Sequence, residues 1–176
     1  MKAKILFFDD IFSDLFRAHH DKEQLVWDDN WVAALEREFT DPKRNIGGPT
    51  FELIKSGDIR SWRELIEKER PNILLVDLFW PEEARKEFKD ERRGEEISLG
   101  IISEIRKEFP SLPVISYTFK PNQEILEQAY DAGATLFLEK VALALPEVHS
   151  SLKYFCIYLM RQRQAANDHV PCVADF

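Results

Sequence analysis

Carboxylates follow two apolar runs of the chain, at the point where each run ends. Asp77 comes directly after residues 73–76, and Asp9 and Asp10 come directly after residues 5–8. Short apolar runs of this kind are typical of buried strands. In open α/β sheets, ligands bind at the edge formed by the carboxyl ends of the strands. The pattern therefore predicts three acids at a ligand-binding edge, where a carboxylate can attack a phosphoryl group and carry it as an acyl phosphate.

A hydroxyl and an amine follow two further strand-like runs. Thr118 comes after residues 114–117, and Lys140 comes after residues 136–139. A lysine ammonium can neutralise phosphoryl oxygens, and a threonine hydroxyl can donate a hydrogen bond to the same group. Clustered acids repel one another unless a cation lies between them, and Mg²⁺ prefers oxygen ligands. These residue types together could hold a divalent cation and a phosphoryl group at one site.

Each of these residues also has an ordinary structural explanation when it is taken alone. An aspartate such as Asp77 at a strand end is usually a helix cap or a turn residue. Thr118 alone is most simply a strand residue, and Lys140 alone is most simply solvated. The occurrence of all these groups at four strand ends favours a chemical site over these separate explanations.

Short apolar strands alternate with helical patterns along the chain, which predicts a parallel sheet with helices on both faces. Strands are expected near residues 4–8, 51–55, 73–76, 114–117 and 136–138. Helices are expected around residues 32–39, 61–69, 101–109, 123–132 and 147–163, with a turn at residues 45–49. The polar side chains described above then meet at one edge of the sheet.

Two stretches are longer than the connections of about 2–6 residues that are usual in α/β units. Residues 11–30 follow the first strand, and residues 82–99 follow the strand that ends at Asp77. Both stretches leave the sheet at the edge that carries the acids. The second is dense in charge, which is typical of a solvated helix or loop, although a lid or a partner-recognition element is the alternative.

The length and composition favour one globular domain. A chain of 176 residues can bury one substantial core, and we expect a single domain over residues 1–163 followed by a C-terminal tail at residues 164–176. A net charge of −8 disfavours nucleic acid as the main partner. The sequence shows no membrane-length apolar run and no signal peptide. Cys156 and Cys172 form no CxxC pair, which fits a cytoplasmic location.

In their order and spacing, these motifs resemble the response-regulator receiver domain of two-component signalling, from about Lys4 to Arg163. The residues that carry the resemblance are Asp9 with Asp10, residues 77–81, residues 114–118, residues 132–134 and residues 137–140. The resemblance implies a flavodoxin-like α/β fold, with a five-stranded parallel sheet of order 2-1-3-4-5. It also implies a phosphoprotein that assists its own phosphorylation and dephosphorylation and has no separate substrate.

The resemblance assigns a metal site to the acidic edge. It implies that Asp77 is the phosphoacceptor and that Mg²⁺ is the cofactor. Asp10 and Asp77 would bind the cation directly, Asp9 would act through water, and Phe79 would contribute its backbone carbonyl.

The resemblance also implies a conformational switch and a set of partners. Thr118 and Phe137 would be the switch residues, and Lys140 would contact the phosphoryl group. The phosphoryl donor would be a histidine kinase or a phosphotransfer protein, and a downstream protein partner, or a second copy in a homodimer, would recognise the phosphorylated form. No nucleic-acid or membrane partner is expected.

Two residues depart from the family pattern. Val141 stands where the family has proline, so we expect a trans bond and a shifted loop after Lys140. Phe119 stands where the family has a small residue, and we expect it to crowd the phosphoryl pocket.

Two other functions compete with this interpretation. One is a degenerate receiver that acts as a constitutive adaptor. The other is a phosphatase resembling the haloacid dehalogenases, which is disfavoured because Ile11 stands where that family has a second aspartate. Neither a Walker P-loop nor GxGxxG occurs, which disfavours nucleotide enzymes. The stretch after the last expected helix is too short for a DNA-binding output domain.

Overall fold

The structure, a computed structural model, describes residues 2–45 and 48–168. Its centre is a five-stranded parallel sheet of order β2-β1-β3-β4-β5, which confirms the predicted fold class. The strands are β1 (Lys2–Phe8), β2 (Thr50–Ser56), β3 (Ile73–Asp77), β4 (Val114–Thr118) and β5 (Leu136–Glu139).

Helices cover both faces of the sheet, as the alternating pattern predicts. They are α1 (Asp14–His19), α2 (Lys22–Thr40), α3 (Trp62–Glu69), α4 (Pro81–Phe88), α5 (Gly94–Glu108), α6 (Gln123–Ala132), α7 (Lys140–Leu143) and α8 (Pro146–Asp168). Side-chain caps mark several of their starts, because an unpaired N–H at a helix N-terminus needs an acceptor. Asn122, for example, accepts a hydrogen bond from the N–H of Ile125 at 2.9 Å.

Two hydrophobic clusters lie on opposite faces of the sheet. One contains Phe7 and Tyr117 and packs against α2 and α8, and the other contains Phe8 and Val76 and packs against α3, α5 and α6. Because successive strand residues point to opposite faces, each central strand supplies both clusters. All five residues of β3 are buried, so the strand that ends at Asp77 is rigidly held.

A buried ion pair joins the two helices on the first face. The Lys153 ammonium of α8 lies 2.6 Å from a carboxylate oxygen of Glu38 in α2, and it also donates to the carbonyl of Arg44 at 2.9 Å. This pair lies between two helices and not at the acidic edge, so Lys153 provides a control for experiments on Lys140.

The two extra segments fold into helices that pack beside the acidic edge. Residues 11–30 form a 3₁₀ turn, α1 and the first half of α2, whereas residues 82–99 form most of α4, a second 3₁₀ turn and the first turns of α5. Gly94 allows the second segment to approach closely, since a Cβ there would lie 2.8 Å from the backbone nitrogen of Trp80. Ser98 completes the attachment by donating to the carbonyl of Leu78 at 2.6 Å.

Some expectations at element ends are wrong. Helix α8 continues to Asp168 and does not end at Arg163, because residues 164–168 contain no proline or glycine to stop it. The chain after Lys140 forms the short helix α7 instead of a shifted loop, whereas the expected trans bond before Val141 is confirmed. The division between a domain and a tail stays a prediction. Residues 46, 47 and 169–176 lie outside the described residues, and so do part of the expected turn at 45–49 and Cys172.

The described helices were also compared with the requirements of a membrane span. Among residues 2–45 and 48–168, no helix combines the length and the apolar character needed to cross a bilayer.

Candidate functional site

The parallel register brings the predicted site residues to one edge of the sheet. Phe8 pairs with Val76, so the residues that follow them, Asp9 and Asp77, lie side by side. Asp77 pairs in turn with Tyr117. Each of these side chains is at least 95% buried. The site is therefore built on strand ends, which hold side chains more rigidly than free loops do.

Lys140 lies between two of the carboxylates. Its ammonium is 2.6 Å from Oδ2 of Asp77 and 2.8 Å from Oδ2 of Asp9. Burial alone would lower the pKa of Lys140, but the two carboxylates outweigh burial and hold the pKa above its usual value. The lysine is therefore a buried permanent cation, although a lone lysine is usually solvated.

The backbone and a neighbouring indole fix the position of Asp77. Its second oxygen, Oδ1, accepts a hydrogen bond from the N–H of Phe79 at 3.1 Å. Its backbone carbonyl accepts one from the indole N–H of Trp80 at 2.7 Å. Trp80 is almost fully buried, so it supports Asp77 as well as packing in the core.

Asp10 completes the acidic group at the partly exposed rim. Asp9, Asp10 and Asp77 each offer a carboxylate oxygen within 4.8 Å of the others. Burial, together with the charges of Asp9 and Asp77, raises the pKa of Asp10 to about 8. Burial also raises the pKa of Asp77 to about 7, although Lys140 opposes this rise. Three carboxylates with a single lysine to neutralise them fit a hard divalent cation such as Mg²⁺, which prefers oxygen ligands.

Replacement of Asp10 by asparagine should stabilise the metal-free protein and weaken Mg²⁺ binding. The pKa of Asp10 is raised from 3.8 to about 8 in the folded state, so its ionisation destabilises the fold as the pH rises through that window. Asparagine cannot ionise, and we expect a gain of about 1 kcal/mol or more at pH 8. Urea unfolding across a pH series, with and without Mg²⁺, measures both effects.

The matched control is Asp131→Asn, which changes an exposed acid of α6. It should alter neither the unfolding free energy nor the Mg²⁺ affinity. An Asp10→Asn protein that binds Mg²⁺ as tightly as the wild type would contradict the assignment of Asp10 to the cation.

Thr118 and Phe119 border the site on the side of β4. The Thr118 side chain is buried, and its oxygen accepts a hydrogen bond from the N–H of Lys120 at 3.3 Å. Phe119 is half-exposed and packs against Trp27, with the two rings tilted by 31° and their centroids 6.0 Å apart. Its ring lies 5.0 Å from the Lys140 ammonium. Phe119 therefore lies beside Lys140, and the expectation that it crowds a phosphoryl pocket stays a prediction.

Phe137, the expected switch aromatic, lies two residues before the end of β5. It is partly buried and packs against the hydrophobic cluster that includes Ile125 and Ala129 of α6. The structure thus places Phe137 between the sheet and α6, and its role as a switch stays a prediction.

A cavity of about 460 Å³ opens over Asp77. Both extra segments line it, the first with Phe16 and His20 and the second with Arg92 and Glu95. The ring of His20 stacks on Phe16 with centroids 3.6 Å apart. The expectation that both segments leave the sheet beside the acids is therefore correct, and their side chains form walls around the site.

Sequence reasoning missed one residue of the site. Tyr117 is fully buried, and its hydroxyl donates to Oδ2 of Asp9 at 2.5 Å. The contact follows from the strand register of the folded sheet, because the end of β4 aligns Tyr117 with Asp77 on the face that also carries Asp9. In the sequence, a tyrosine inside an apolar run indicates only a strand residue.

Comparison with known proteins adds evidence from the fold. The chain matches none of the protein-family models and none of the curated protein sequences. Its structure is similar to a CheY-like response regulator receiver domain protein from Methanospirillum hungatei JF-1, with 17% identity and a TM-score of 0.56 over 94% of this chain and 99% of that chain.

Two further solved structures are similar at the same level. A response regulator from Thermotoga maritima has 16% identity and a TM-score of 0.56, over 90% of this chain and 99% of that one. A two component transcriptional regulator from Clostridium phytofermentans ISDg has 21% identity and a TM-score of 0.55, over 93% of this chain and 98% of that one. The chain therefore has the fold of CheY-like receiver domains.

Proposed function

We propose that this chain is a phospho-accepting module of a two-component phosphorelay. It takes a phosphoryl group from a histidine kinase or a phosphotransfer protein onto Asp77 and signals through a protein partner. The observation that carries the proposal is the buried Asp77 carboxylate with Lys140 at 2.6 Å and two further acids within 4.8 Å. The receiver-type fold supports it.

Asp77 is the nucleophile in this proposal. One carboxylate oxygen forms the new bond to phosphorus, and the bond from phosphorus to the donor nitrogen or oxygen breaks, with its electrons leaving on the donor. Lys140 stays protonated and can follow the transferred charge from Oδ2 of Asp77 to a phosphoryl oxygen. Thr118 accepts a hydrogen bond from the Lys120 N–H, so its own hydroxyl proton can point to the phosphoryl group.

A divalent cation would complete this charge balance. Asp10, Asp77 and the Phe79 carbonyl would hold Mg²⁺, which when bound reduces the repulsion between the attacking carboxylate and the phosphoryl oxygens. The protein supplies a dry and rigid setting for the reacting groups, because Asp77 and Lys140 are both nearly inaccessible to solvent.

The test of the proposal is intact-mass measurement after incubation with Mg²⁺ and acetyl phosphate. We expect a gain of one phosphoryl group that is lost on treatment with hydroxylamine, as an acyl phosphate should be. A chain that never labels would instead be a constitutive adaptor. Sustained hydrolysis of a separate phosphate ester, without a stable adduct, would indicate an enzyme on the same sheet.

The output surface in this proposal is formed by α6, β5 and α8. Its exposed apolar side chains include Leu126 of α6 and Tyr154, Phe155 and Tyr158 of α8. Phe137 lies beneath α6, so movement of Thr118 toward a phosphoryl group can be transmitted to this surface through packing. A protein partner or a second copy of the chain would bind there.

Binding of beryllofluoride and Mg²⁺ should therefore change amide chemical shifts in α6 and α8 as well as in the loops at the acidic edge. Beryllofluoride mimics the acyl phosphate, and the response should disappear in Asp77→Asn. Changes confined to the loops around residues 9–13, 78–80 and 118–120 would refute this output surface.

A further inference from the structure

The hydroxyl of Tyr117 makes a buried hydrogen bond that the phosphorylation chemistry described above does not use. It donates to Oδ2 of Asp9 at 2.5 Å, across 108 residues of sequence. The carbonyl of Phe8 is a second, longer neighbour at 3.4 Å. The ring packs against Phe7 with centroids 6.0 Å apart. A phenylalanine ring could provide that packing, so the specific contribution of tyrosine is its bond to Asp9.

The hydrogen bonds of Asp9 nearly exhaust its capacity as an acceptor. An ionised carboxylate has about four lone-pair positions, two on each oxygen. Oδ2 accepts from Tyr117 and contacts the Lys140 ammonium at 2.8 Å, and Oδ1 accepts from the N–H of Ile11 at 3.1 Å. Asp9 is also completely inaccessible to solvent, whereas Asp10 lies at the partly exposed rim.

We propose that Tyr117 is a positioning residue that holds Asp9 as a fixed counter-ion of Lys140 and withholds Asp9 from the divalent cation. Asp10 and Asp77 then determine the cation affinity. This inference rests on the proposed function, because it concerns the cation of the same site. A cation could recruit Oδ2 of Asp9 only by breaking a short, buried, charge-assisted hydrogen bond and leaving the tyrosine hydroxyl poorly satisfied, while the Ile11 N–H orients Oδ1 and leaves it a single acceptor position.

The consequence is that the hydroxyl of Tyr117 lowers the affinity of the site for Mg²⁺. A residue with a merely structural role would act in the opposite direction, since its loss would loosen the site and weaken binding. The sign of the change in Mg²⁺ affinity therefore separates the two roles.

The experiment is calorimetric titration of Mg²⁺ into the wild type, Tyr117→Phe and the control Tyr130→Phe, all without a phosphodonor. Tyr130 is 76% exposed, and its variant should bind as the wild type does. We expect Tyr117→Phe to bind Mg²⁺ about tenfold more tightly, which corresponds to the loss of one charge-assisted hydrogen bond. Unchanged or weaker binding by Tyr117→Phe overturns the inference.

A second pair of variants tests the inference without altering the tyrosine. Asparagine at position 9 keeps an oxygen acceptor for Tyr117, so Asp9→Asn should weaken Mg²⁺ binding much less than Asp10→Asn does. Equal weakening by the two variants would make Asp9 a ligand and overturn the inference. Because these titrations contain no phosphodonor, their outcome is distinct from failure of Asp77 to label, which would overturn the proposed function.

Discussion

Replacement of Asp77 by asparagine should abolish labelling of the protein by acetyl phosphate and binding of beryllofluoride. The amide is nearly isosteric with the carboxylate, but it lacks the nucleophilic oxygen and the negative charge that Lys140 contacts at 2.6 Å. We expect the loss to be complete, because Asp9 and Lys140 are engaged with each other and Asp10 has no comparable lysine contact among the described residues. Intact-mass measurement and peptide mapping after reaction with acetyl phosphate test this directly.

The matched control is Glu38→Gln. Glu38 is also a buried carboxylate with a lysine ammonium at 2.6 Å. It belongs to α2 and pairs with Lys153 of α8, so it does not lie at the acidic edge. Its variant should label as fully as the wild type, even where the variant is less stable. Full labelling of Asp77→Asn at another residue would show that the phosphoacceptor is misassigned.

Replacement of Lys140 by methionine should strongly destabilise the metal-free protein. It would leave the Asp9 and Asp77 carboxylates buried without their shared cation, and loss of one partner of a buried pair costs about 3–5 kcal/mol. Uncompensated carboxylates take up protons more readily in the folded state, so the loss should be smaller at acidic pH. Mg²⁺ should restore part of the stability by supplying the missing charge.

Lys153→Met is the control for this prediction. It removes the other buried lysine that is paired at 2.6 Å, and it should lose less stability, because Glu38 keeps a second ion pair with Arg44 at 2.6 Å. Mg²⁺ should stabilise this variant only as much as it stabilises the wild type, so the deficit relative to the wild type should remain, because the acidic group of the site is unchanged. A Lys140→Met protein as stable as the wild type, or one that Mg²⁺ does not rescue, would show that the lysine does not neutralise the acids.

The strand ends explain why most of the site could be predicted from the sequence. Asp9, Asp77, Thr118 and Lys140 each follow a run that is apolar enough to be read as a strand, and parallel strands end at one edge. The contact between Tyr117 and Asp9 could not be predicted in the same way, because it depends on which face of β4 the side chain takes once the strands are in register.

The extra segments and the last helix show a second limit of sequence patterns. The run after Asp77 is so rich in charge that its pattern does not predict the burial of Ala84 and Ile97, which attach α4 and α5 to the core. Proline at position 81 begins α4 and is a recognisable helix-start signal. No proline or glycine stands between Arg163 and Asp168, so the sequence offers no reason to end α8 at Arg163.

Trp80 gives the molecule an optical probe of its own chemistry. Its indole N–H is bonded to the carbonyl of Asp77 at 2.7 Å, and its ring is shielded from water. Indole emission responds to nearby charge, and Asp77 is the residue whose charge changes when a phosphoryl group arrives. The intrinsic fluorescence of the protein, without an added dye, can therefore follow phosphorylation of Asp77 in real time. The Trp80→Phe variant identifies the share of the signal that comes from this ring.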